Sequence, residues 1–352
     1  MKISYFPALF RYAAGKNRAG NRSRGNEYSV IPEKTGQGKA HAKQEEPAMS
    51  IVVIGCVFVD VKGYPSGTYI PGGRNAGKVR TLHGGVCRNV AEDLGNMGLR
   101  PVFLSLVDES GTADDVLHRL DEHGVDTRYV RRSQDGMGTW LAVFDNNNDV
   151  CASISQRPDM RPLLQLLQEE GNSIFSSAES VLLELDLEQE TVEEVYRLKQ
   201  KYGTKVYAAV SNIRIAMERR EMLRVTDCLV CNRQEAEILF SREFSGEDPE
   251  KLAAQLSGFV RDGRIPAVVV TLGGDGAVWA NGDGMFGVCA AQQVPVADTT
   301  GAGDAFFAGV AAGLTYGKSL PEACEIGTRL ASSVVCSLES VCPRFLPAEF
   351  GL

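Results

Sequence analysis

Short apolar runs alternate with amphipathic segments along most of this chain, and no other sequence feature constrains the fold as much. Strands and helices that alternate at this spacing imply parallel strands joined by right-handed crossovers. The sequence therefore predicts a three-layer α/β/α domain with a central, mostly parallel sheet. Strands are predicted at 51–57, 102–107, 181–185, 206–210, 228–231 and 268–272, and helices at 86–97, 112–123, 191–202, 234–240, 249–261, 305–316 and 320–338.

Two regions do not follow this alternation. Residues 63–82 are rich in Gly and Pro and have no helical period, and residues 125–155 contain short strand-like runs. Two of these runs, 139–144 and 150–154, flank an Asp- and Asn-rich turn and predict a hairpin. We expect the two regions to form a small β lid over one end of a domain that spans residues 50–352.

Composition excludes several classes of protein. The chain has 352 residues, of which 43% are hydrophobic, and this is enough for a large buried core. No apolar run reaches the roughly 18 residues of a membrane-spanning helix. The net charge of −8 argues against a nucleic-acid-binding body. We therefore expect neither a membrane nor a nucleic acid as partner.

Nine cysteines are spread along the chain. Cys228 and Cys231 have C-x-x-C spacing, but no second pair and no nearby histidine follow them. Residues three apart on a strand also point to opposite faces of a sheet. We interpret the cysteines as small core residues of a protein in the reducing cytoplasm.

The first 49 residues differ from the rest in composition. They hold nine Lys/Arg and four Glu, a net charge of +5, so residues 50–352 carry −13. This segment has no apolar period and is predicted to be a disordered basic extension. Met49 directly precedes the first strand, which favours an upstream start codon over a transit peptide or an RNA-binding arm.

Residues 298–304, Asp-Thr-Thr-Gly-Ala-Gly-Asp, precede a long apolar segment that is predicted to be a buried helix. Glycines allow close approach of a ligand, and the free N–H groups of a helix N-terminus bind anions such as phosphate. Asp304 is either an ordinary helix N-cap or a carboxylate that accepts a proton from a hydroxyl attacking that phosphate. The flanking Gly301, Ala302 and Gly303 favour the second role.

Two further constellations lie near predicted strand and helix ends in the first half of the chain. Asp60 follows the first strand, where ligands of open α/β sheets collect, although a turn or cap role is equally open. Gly84 and Gly85 open a helix that carries Asn89, whose amide can both donate and accept hydrogen bonds. The alternative is that Gly84, Gly85 and Asn89 bind no ligand and only form a loop-to-helix turn.

Two more constellations follow later strands. Asn232 and Glu235 have the spacing of a capping box, which accounts for them on local grounds. Thr271 can bind phosphate, and Gly273 and Gly276 permit a tight turn against a nucleotide, although any hairpin can contain such glycines.

One segment imitates a nucleotide-binding motif. Residues 72–78, Gly-Gly-Arg-Asn-Ala-Gly-Lys, satisfy most of a Walker A pattern, but Val79 stands where a Ser or Thr would bind Mg²⁺. No G-x-G-x-x-G follows the first strand, which argues against a dinucleotide-dependent dehydrogenase. We therefore reject both motifs.

The five constellations together resemble the signatures of the ribokinase-like (phosphofructokinase-B type) sugar and nucleoside kinases. The resemblance spans residues 50–345 and implies a ribokinase-like fold, ATP and Mg²⁺ as cofactors, and a monovalent cation such as K⁺. The resemblance does not decide whether the protein forms a homodimer. It implies a catalytic base at Asp304 with an anion hole at Gly301, Ala302 and Gly303, substrate binding by Asp60, Gly84, Gly85 and Asn89, and nucleotide binding by Asn232, Glu235, Thr271, Gly273, Gly276 and Thr300, with Glu235 holding Mg²⁺ through water.

The segment from Asn75 to Leu94 is similar to that of the pseudouridine kinases within this family, which adds Asn75 to the substrate-binding residues. Ala76, Cys87 and Asp93 differ from the pattern of the pseudouridine kinases, and the segment 155–160 is longer than that pattern predicts. The resemblance implies phosphorylation of the 5′-hydroxyl of a nucleoside, pseudouridine first. Alternatives are a kinase of ribose, fructose or inosine on the same fold, and a non-catalytic nucleoside sensor.

Overall fold

The computed structural model describes residues 50–147, 149–210, 217–218, 220–244 and 248–352. The predicted basic extension, residues 1–49, lies outside this part. The strands are β1 (Ile51–Ile54), β2 (Phe58–Pro65), β3 (Gly77–Gly84), β4 (Val102–Val107), β5 (Asp126–Arg132), β6 (Gly138–Phe144), β7 (Val150–Gln156), β8 (Ser180–Glu184), β9 (Lys205–Ala209), β10 (Cys228–Asn232), β11 (Ala267–Thr271), β12 (Ala277–Asn281) and β13 (Phe286–Cys289). The helices are α1 (Val86–Asn96), α2 (Gly111–Glu122), α3 (Arg161–Ser177), α4 (Gln189–Tyr202), α5 (Arg220–Leu223), α6 (Arg233–Phe240), α7 (Pro249–Gly263), α8 (Ala302–Thr315) and α9 (Leu320–Val335).

The large sheet has nine strands in the described residues, in the order β13-β12-β11-β10-β9-β8-β1-β4-β5. The strands from β11 to β5 are parallel, and β12 and β13 add antiparallel at one edge. A parallel sheet requires crossover helices and is buried on both faces. The prediction of a mostly parallel central sheet is confirmed.

Helices cover both faces of this sheet. Successive residues of β1 alternate between two cores, because side chains on a strand point to opposite faces. Ile51 and Val53 pack with α1, α2, α8 and α9, whereas Val52 and Ile54 pack with α3, α4, α6 and α7. The molecule therefore has the three predicted layers. No helix of the described residues is long and apolar enough to cross a membrane.

A second sheet of four strands has the order β3-β2-β6-β7. Strands β6 and β7 form the predicted hairpin, and β2 lies parallel to β6 and antiparallel to β3. The predicted lid boundaries were wrong in one part: β5 pairs in parallel with β4 and belongs to the large sheet. The chain enters β5 from α2 as an ordinary crossover, but its polar residues conceal this edge strand in the sequence.

Seven of the nine cysteines are buried, including Cys228 and Cys231, whereas Cys151 and Cys336 are exposed. In the described part of the chain, no group of three or more His, Cys, Asp or Glu side chains could hold a metal ion. The interpretation of the cysteines as core residues therefore holds for seven of them.

Candidate active site

A cavity of about 280 Å³ lies where β9, β10 and β11 end and α8 begins. The last residues of parallel strands meet at one edge of the sheet, which is where α/β proteins bind ligands. Five of the residues singled out in the sequence line this cavity: Asn232, Glu235, Thr271, Gly303 and Asp304. Residues from three separate constellations thus converge on one volume, together with Val86, the neighbour of Gly85.

The segment before α8 turns sharply into the helix. Gly301 has φ 82°, and a Cβ at this position would lie 1.9 Å from the Ser340 carbonyl oxygen, so only glycine fits. The Ala302 amide donates to the Thr299 carbonyl oxygen at 3.3 Å in this structure, and its place in the anion hole stays a prediction. Among the described residues, the amides of Gly303 and Asp304 donate to no backbone acceptor. A Cβ on Gly303 would meet nothing within 4 Å, so this residue leaves room for a ligand.

Asp304 lies in the first turn of α8 rather than at its N-cap, which is Gly301. The ordinary capping role for Asp304 is therefore excluded. Its Oδ2 accepts a hydrogen bond of 2.7 Å from Asn89 Nδ2. Burial raises the pKa of Asp304 to about 7, and the Asn89 bond and the Arg88 charge oppose this rise. Near neutral pH the carboxylate can both hold and release a proton, unlike a free aspartate with a pKa of about 3.9.

The orientation of the Asn89 amide is set by its neighbour in α1. Arg88 is buried, and its Nη1 donates to Asn89 Oδ1 at 2.9 Å. Because a guanidinium can only donate, the Asn89 NH₂ group must face Asp304. Arg88 also pairs with the buried Glu92, which in turn accepts from Arg119 Nε at 2.8 Å. This buried network keeps Asn89 in the orientation that favours an ionised Asp304.

Asp60 lies in β2 of the small sheet and not in a turn or a helix cap. Burial raises its pKa from 3.8, opposed by Lys62 and Arg88, and its charge contributes to the raised pKa of Asp304. The carboxylate lies against Gly84, where a Cβ would come within 2.5 Å of Asp60 Oδ1. Gly85 has φ 100° and packs against the Cys56 carbonyl oxygen. These glycines therefore allow Asp60 and the start of α1 to approach each other.

Asn75 stands apart from these residues. It lies in the loop between β2 and β3, where its Oδ1 accepts the Ile70 amide at 2.7 Å and its Nδ2 donates to the Ile70 carbonyl oxygen at 3.0 Å. It does not line the cavity. Its substrate-binding role stays a prediction, and its contacts in the structure stabilise its own loop.

Asn232 and Glu235 form the capping box at the start of α6. Asn232 Oδ1 accepts the Glu235 amide at 2.9 Å, and Glu235 Oε2 accepts the Asn232 amide at 2.8 Å. Burial raises the pKa of Glu235 to about 7, and the charges of Asp186 and Asp304 add to this rise. A cation would relieve the crowding of these carboxylates, so the donor set fits Mg²⁺ held through water.

The turn after β11 also has the predicted shape. Gly273 and Gly276 have φ 62° and 90°, and a Cβ on Gly276 would lie 2.1 Å from the Cys289 carbonyl oxygen. Arg233 Nη2 lies 3.4 Å from Asp275 Oδ2 and joins this turn to the start of α6. The two predicted nucleotide segments are therefore neighbours. Thr271 is the last residue of β11 and lines the cavity. Thr300 donates hydrogen bonds to Asp298 Oδ1 and does not line the cavity.

Sequence reasoning missed two charged residues close to the site. Arg157, directly after β7, donates through Nη1 to Asp186 Oδ2 and through Nη2 to the Asp186 carbonyl oxygen, both at 2.8 Å. Lys62 of β2 is 2% exposed and donates to Thr300 Oγ1. Arg157 lies in the segment 155–160, which is longer than the family resemblance predicts, and this extra length was a sequence signal for it. A lysine within the predicted lid gave no comparable signal.

Comparison with known proteins adds independent evidence. The model of the pfkB family of carbohydrate kinases matches residues 48–343. A guanosine-inosine kinase of Exiguobacterium acetylicum is 33% identical over 85% of this chain and 98% of its own length. A pseudouridine kinase of Escherichia coli is 26% identical over 77% of this chain and 86% of its own length. Ribokinase from Arabidopsis thaliana, solved in complex with ribose and ATP, has a TM-score of 0.73, 22% identity and coverage of 86% and 99%.

The layered sheet, the small second sheet and the carboxylate at an open helix N-terminus define a class of small-molecule phosphotransferases. The chain belongs to the pfkB family of carbohydrate kinases and is an ATP-dependent carbohydrate or nucleoside kinase.

Proposed function

We propose that this protein transfers the terminal phosphoryl group of ATP to the 5′-hydroxyl of a nucleoside, with Asp304 as the base. The observation that carries this proposal is the Asp304 carboxylate, which has a pKa of about 7 and lines the cavity beside the open amides of α8. Asp304 would accept the hydroxyl proton, and the Gly303 and Asp304 amides would stabilise the charge on the phosphoryl oxygens.

The other residues of the cavity have separate roles in this proposal. Glu235 would hold Mg²⁺ through water, and this ion would neutralise charge on the phosphates of ATP. Thr271, Gly273 and Gly276 would bind the nucleotide, together with Asn232 and Thr300. The monovalent cation near the anion hole remains an expectation from the family. The raised pKa of Asp304 opposes the alternative of a non-catalytic sensor, because a binding protein needs no proton acceptor there.

The two relatives described above are a guanosine-inosine kinase and a pseudouridine kinase, which favours a nucleoside over a free sugar as the substrate. Asp60 would accept hydrogen bonds from the vicinal hydroxyls of the ribose. The relative with 33% identity favours guanosine and inosine as substrates. The pattern of residues 75–94 and the relative with 26% identity favour pseudouridine, which stays the second candidate. We place the reaction in the cytoplasm.

Parallel assays would test this proposal. The purified enzyme with ATP and Mg²⁺ is given inosine, guanosine, pseudouridine, uridine, ribose or fructose, and ADP formation is followed at several acceptor concentrations. We expect a nucleoside to have the highest kcat/KM and ³¹P NMR to show a 5′-monophosphate. A free sugar with the highest kcat/KM would refute the nucleoside assignment. A ranking of pseudouridine above inosine and guanosine would reverse the order of the two candidates.

A further inference from the structure

Lys62 is a buried lysine of β2 whose charge acts on Asp60, but among the described residues no carboxylate lies within ion-pair distance of it. Its side chain is 2% exposed, its Nζ donates to Thr300 Oγ1 at 3.2 Å, and it lies 5.9 Å from the centre of the Trp140 ring. In the part of the chain that the structure describes, Lys62 makes no ion pair. A buried charge without a paired counter-charge is costly, so such a residue is expected to bind an anionic ligand.

Lys62 belongs to one face of β2 that lies along the segment leading into α8. Alternate residues of a strand share a face, so Asp60, Lys62 and Tyr64 point the same way. The charge of Asp60 acts on Asp304, and Lys62 contacts Thr300. Burial raises the pKa of Tyr64, and the charge of Asp298 adds to this rise. The small sheet thus places Lys62 over the same segment that carries the open helix amides.

The hydrogen bonds of Thr300 leave Lys62 with free donors. The Thr300 hydroxyl donates to Asp298 Oδ1 at 2.9 Å, so its oxygen accepts from Lys62. An ammonium group has three donors. Among the described residues, Thr300 is the one oxygen acceptor that Lys62 reaches, so two N–H bonds remain for acceptor oxygens of a ligand.

We propose that Lys62 is a catalytic residue that binds the transferred phosphoryl group from the side of the small sheet. This inference rests on the proposed role of the start of α8 as the phosphoryl site. In the reaction the acceptor oxygen forms a bond to phosphorus, the bond to the ADP oxygen breaks with its electron pair, and the acceptor proton goes to Asp304. Lys62 would donate hydrogen bonds to the equatorial phosphoryl oxygens and stabilise their negative charge.

The test compares Lys62→Met with wild type. Met has a similar length and no charge, so it removes the ammonium group with little change in packing. We expect kcat to fall by about 100-fold or more, as for loss of a charge-stabilising donor, with KM for the acceptor changed by less than about threefold. The melting temperature without ligands should stay the same or rise, since an unpaired buried charge is removed. Lys251→Met, at an exposed position on α7, is the matched control and should change neither quantity.

Three results would overturn the role of Lys62. One is a kcat within about threefold of wild type. Another is a melting temperature that falls together with activity, and a third is a Lys62→Met protein that does not fold. The last two would mean that Lys62 holds the small sheet in place as a structural contact. The assay uses whichever acceptor the wild-type enzyme phosphorylates best, so a sugar substrate would refute the nucleoside proposal and still allow this test.

Discussion

The large and the small sheet contribute to the site in different ways. All four residues of β1 in the large sheet are buried, whereas six of the seven residues of β7 in the small sheet are exposed. The large sheet is buried between two hydrophobic cores. Its strand ends and the helices beside them supply backbone amides and the carboxylates of Asp304 and Glu235 to the site. The small sheet presents Asp60 and Lys62 from one face. Substitutions in the large sheet and in α8 are therefore expected to affect chemistry and stability, and those in the small sheet chemistry alone.

The largest effect is expected for Asp304→Asn on the large-sheet side of the site. Asparagine is isosteric but cannot accept the proton of the acceptor hydroxyl, so kcat should fall by roughly 10³-fold or more. Binding of ATP, measured by calorimetry, should stay within about threefold of wild type because the amides of α8 remain. Turnover similar to wild type would remove Asp304 from its role as base.

The two glycines before Asp304 form a matched pair. Gly303→Ala should fold and even gain roughly 0.5–1 kcal/mol of stability, because alanine favours helix and its Cβ meets nothing. The same Cβ would occupy the space for the phosphoryl group, so kcat/KM for ATP should fall by about 100-fold. Gly301→Ala should instead destabilise the protein, since φ is 82° and the Ser340 carbonyl oxygen blocks the Cβ. Equal thermal stability of the two variants would contradict this account.

Asp60→Asn tests the small sheet. The amide cannot accept two hydroxyl hydrogen bonds as a carboxylate does, so KM for the nucleoside should rise by roughly 10- to 100-fold. The melting temperature should hardly change, because the cost of burying the Asp60 charge offsets its attraction to Lys62 and Arg88. A large loss of stability without a change in KM would assign Asp60 a structural role.

The smallest effect concerns stability and pH. The folded-state pKa of Asp304 is raised from 3.8 to about 7, so its protonated form favours folding. This contribution is fully present below the unfolded pKa and is lost as pH rises through about 7. Asp304→Asn should therefore melt several degrees above wild type at about pH 8, and the difference should shrink as pH falls towards about 5. A difference that is the same at both pH values would contradict the raised pKa, and Asp262→Asn at the surface is the control.

Periodicity predicted the large sheet because its central strands are continuous apolar runs and its helices are amphipathic. It did not predict α3, where Gly171, Asn172 and several serines interrupt the apolar spacing. It also missed β3, β12 and β13, which are short or polar strands that depend on their partners in the sheet. Strand β3 is largely exposed, and β12 and β13 have only five and four residues, so none of the three gives a clear apolar alternation along the sequence.

The candidate site was predicted as separate constellations, and folding alone brings them together. The contact of Asn89 with Asp304 joins residues 215 positions apart, and that of Lys62 with Thr300 joins residues 238 apart. The pKa values of Asp304 and Glu235 arise from burial, which no short motif encodes. The sequence therefore indicated the chemical groups, whereas their protonation and the proposed role of Lys62 required the structure.

The most direct test of Asp304 as the base is the pH dependence of a single turnover. The rate of phosphoryl transfer with saturating ATP and acceptor is measured from about pH 5.5 to about pH 8.5, in wild type and in Glu235→Gln. Glu235 has a similarly raised pKa, so this variant separates the two groups. We predict that the rate rises with pH, levels off above about 7, and keeps this profile in Glu235→Gln. A flat wild-type profile, or one that becomes flat in Glu235→Gln, would contradict the assignment.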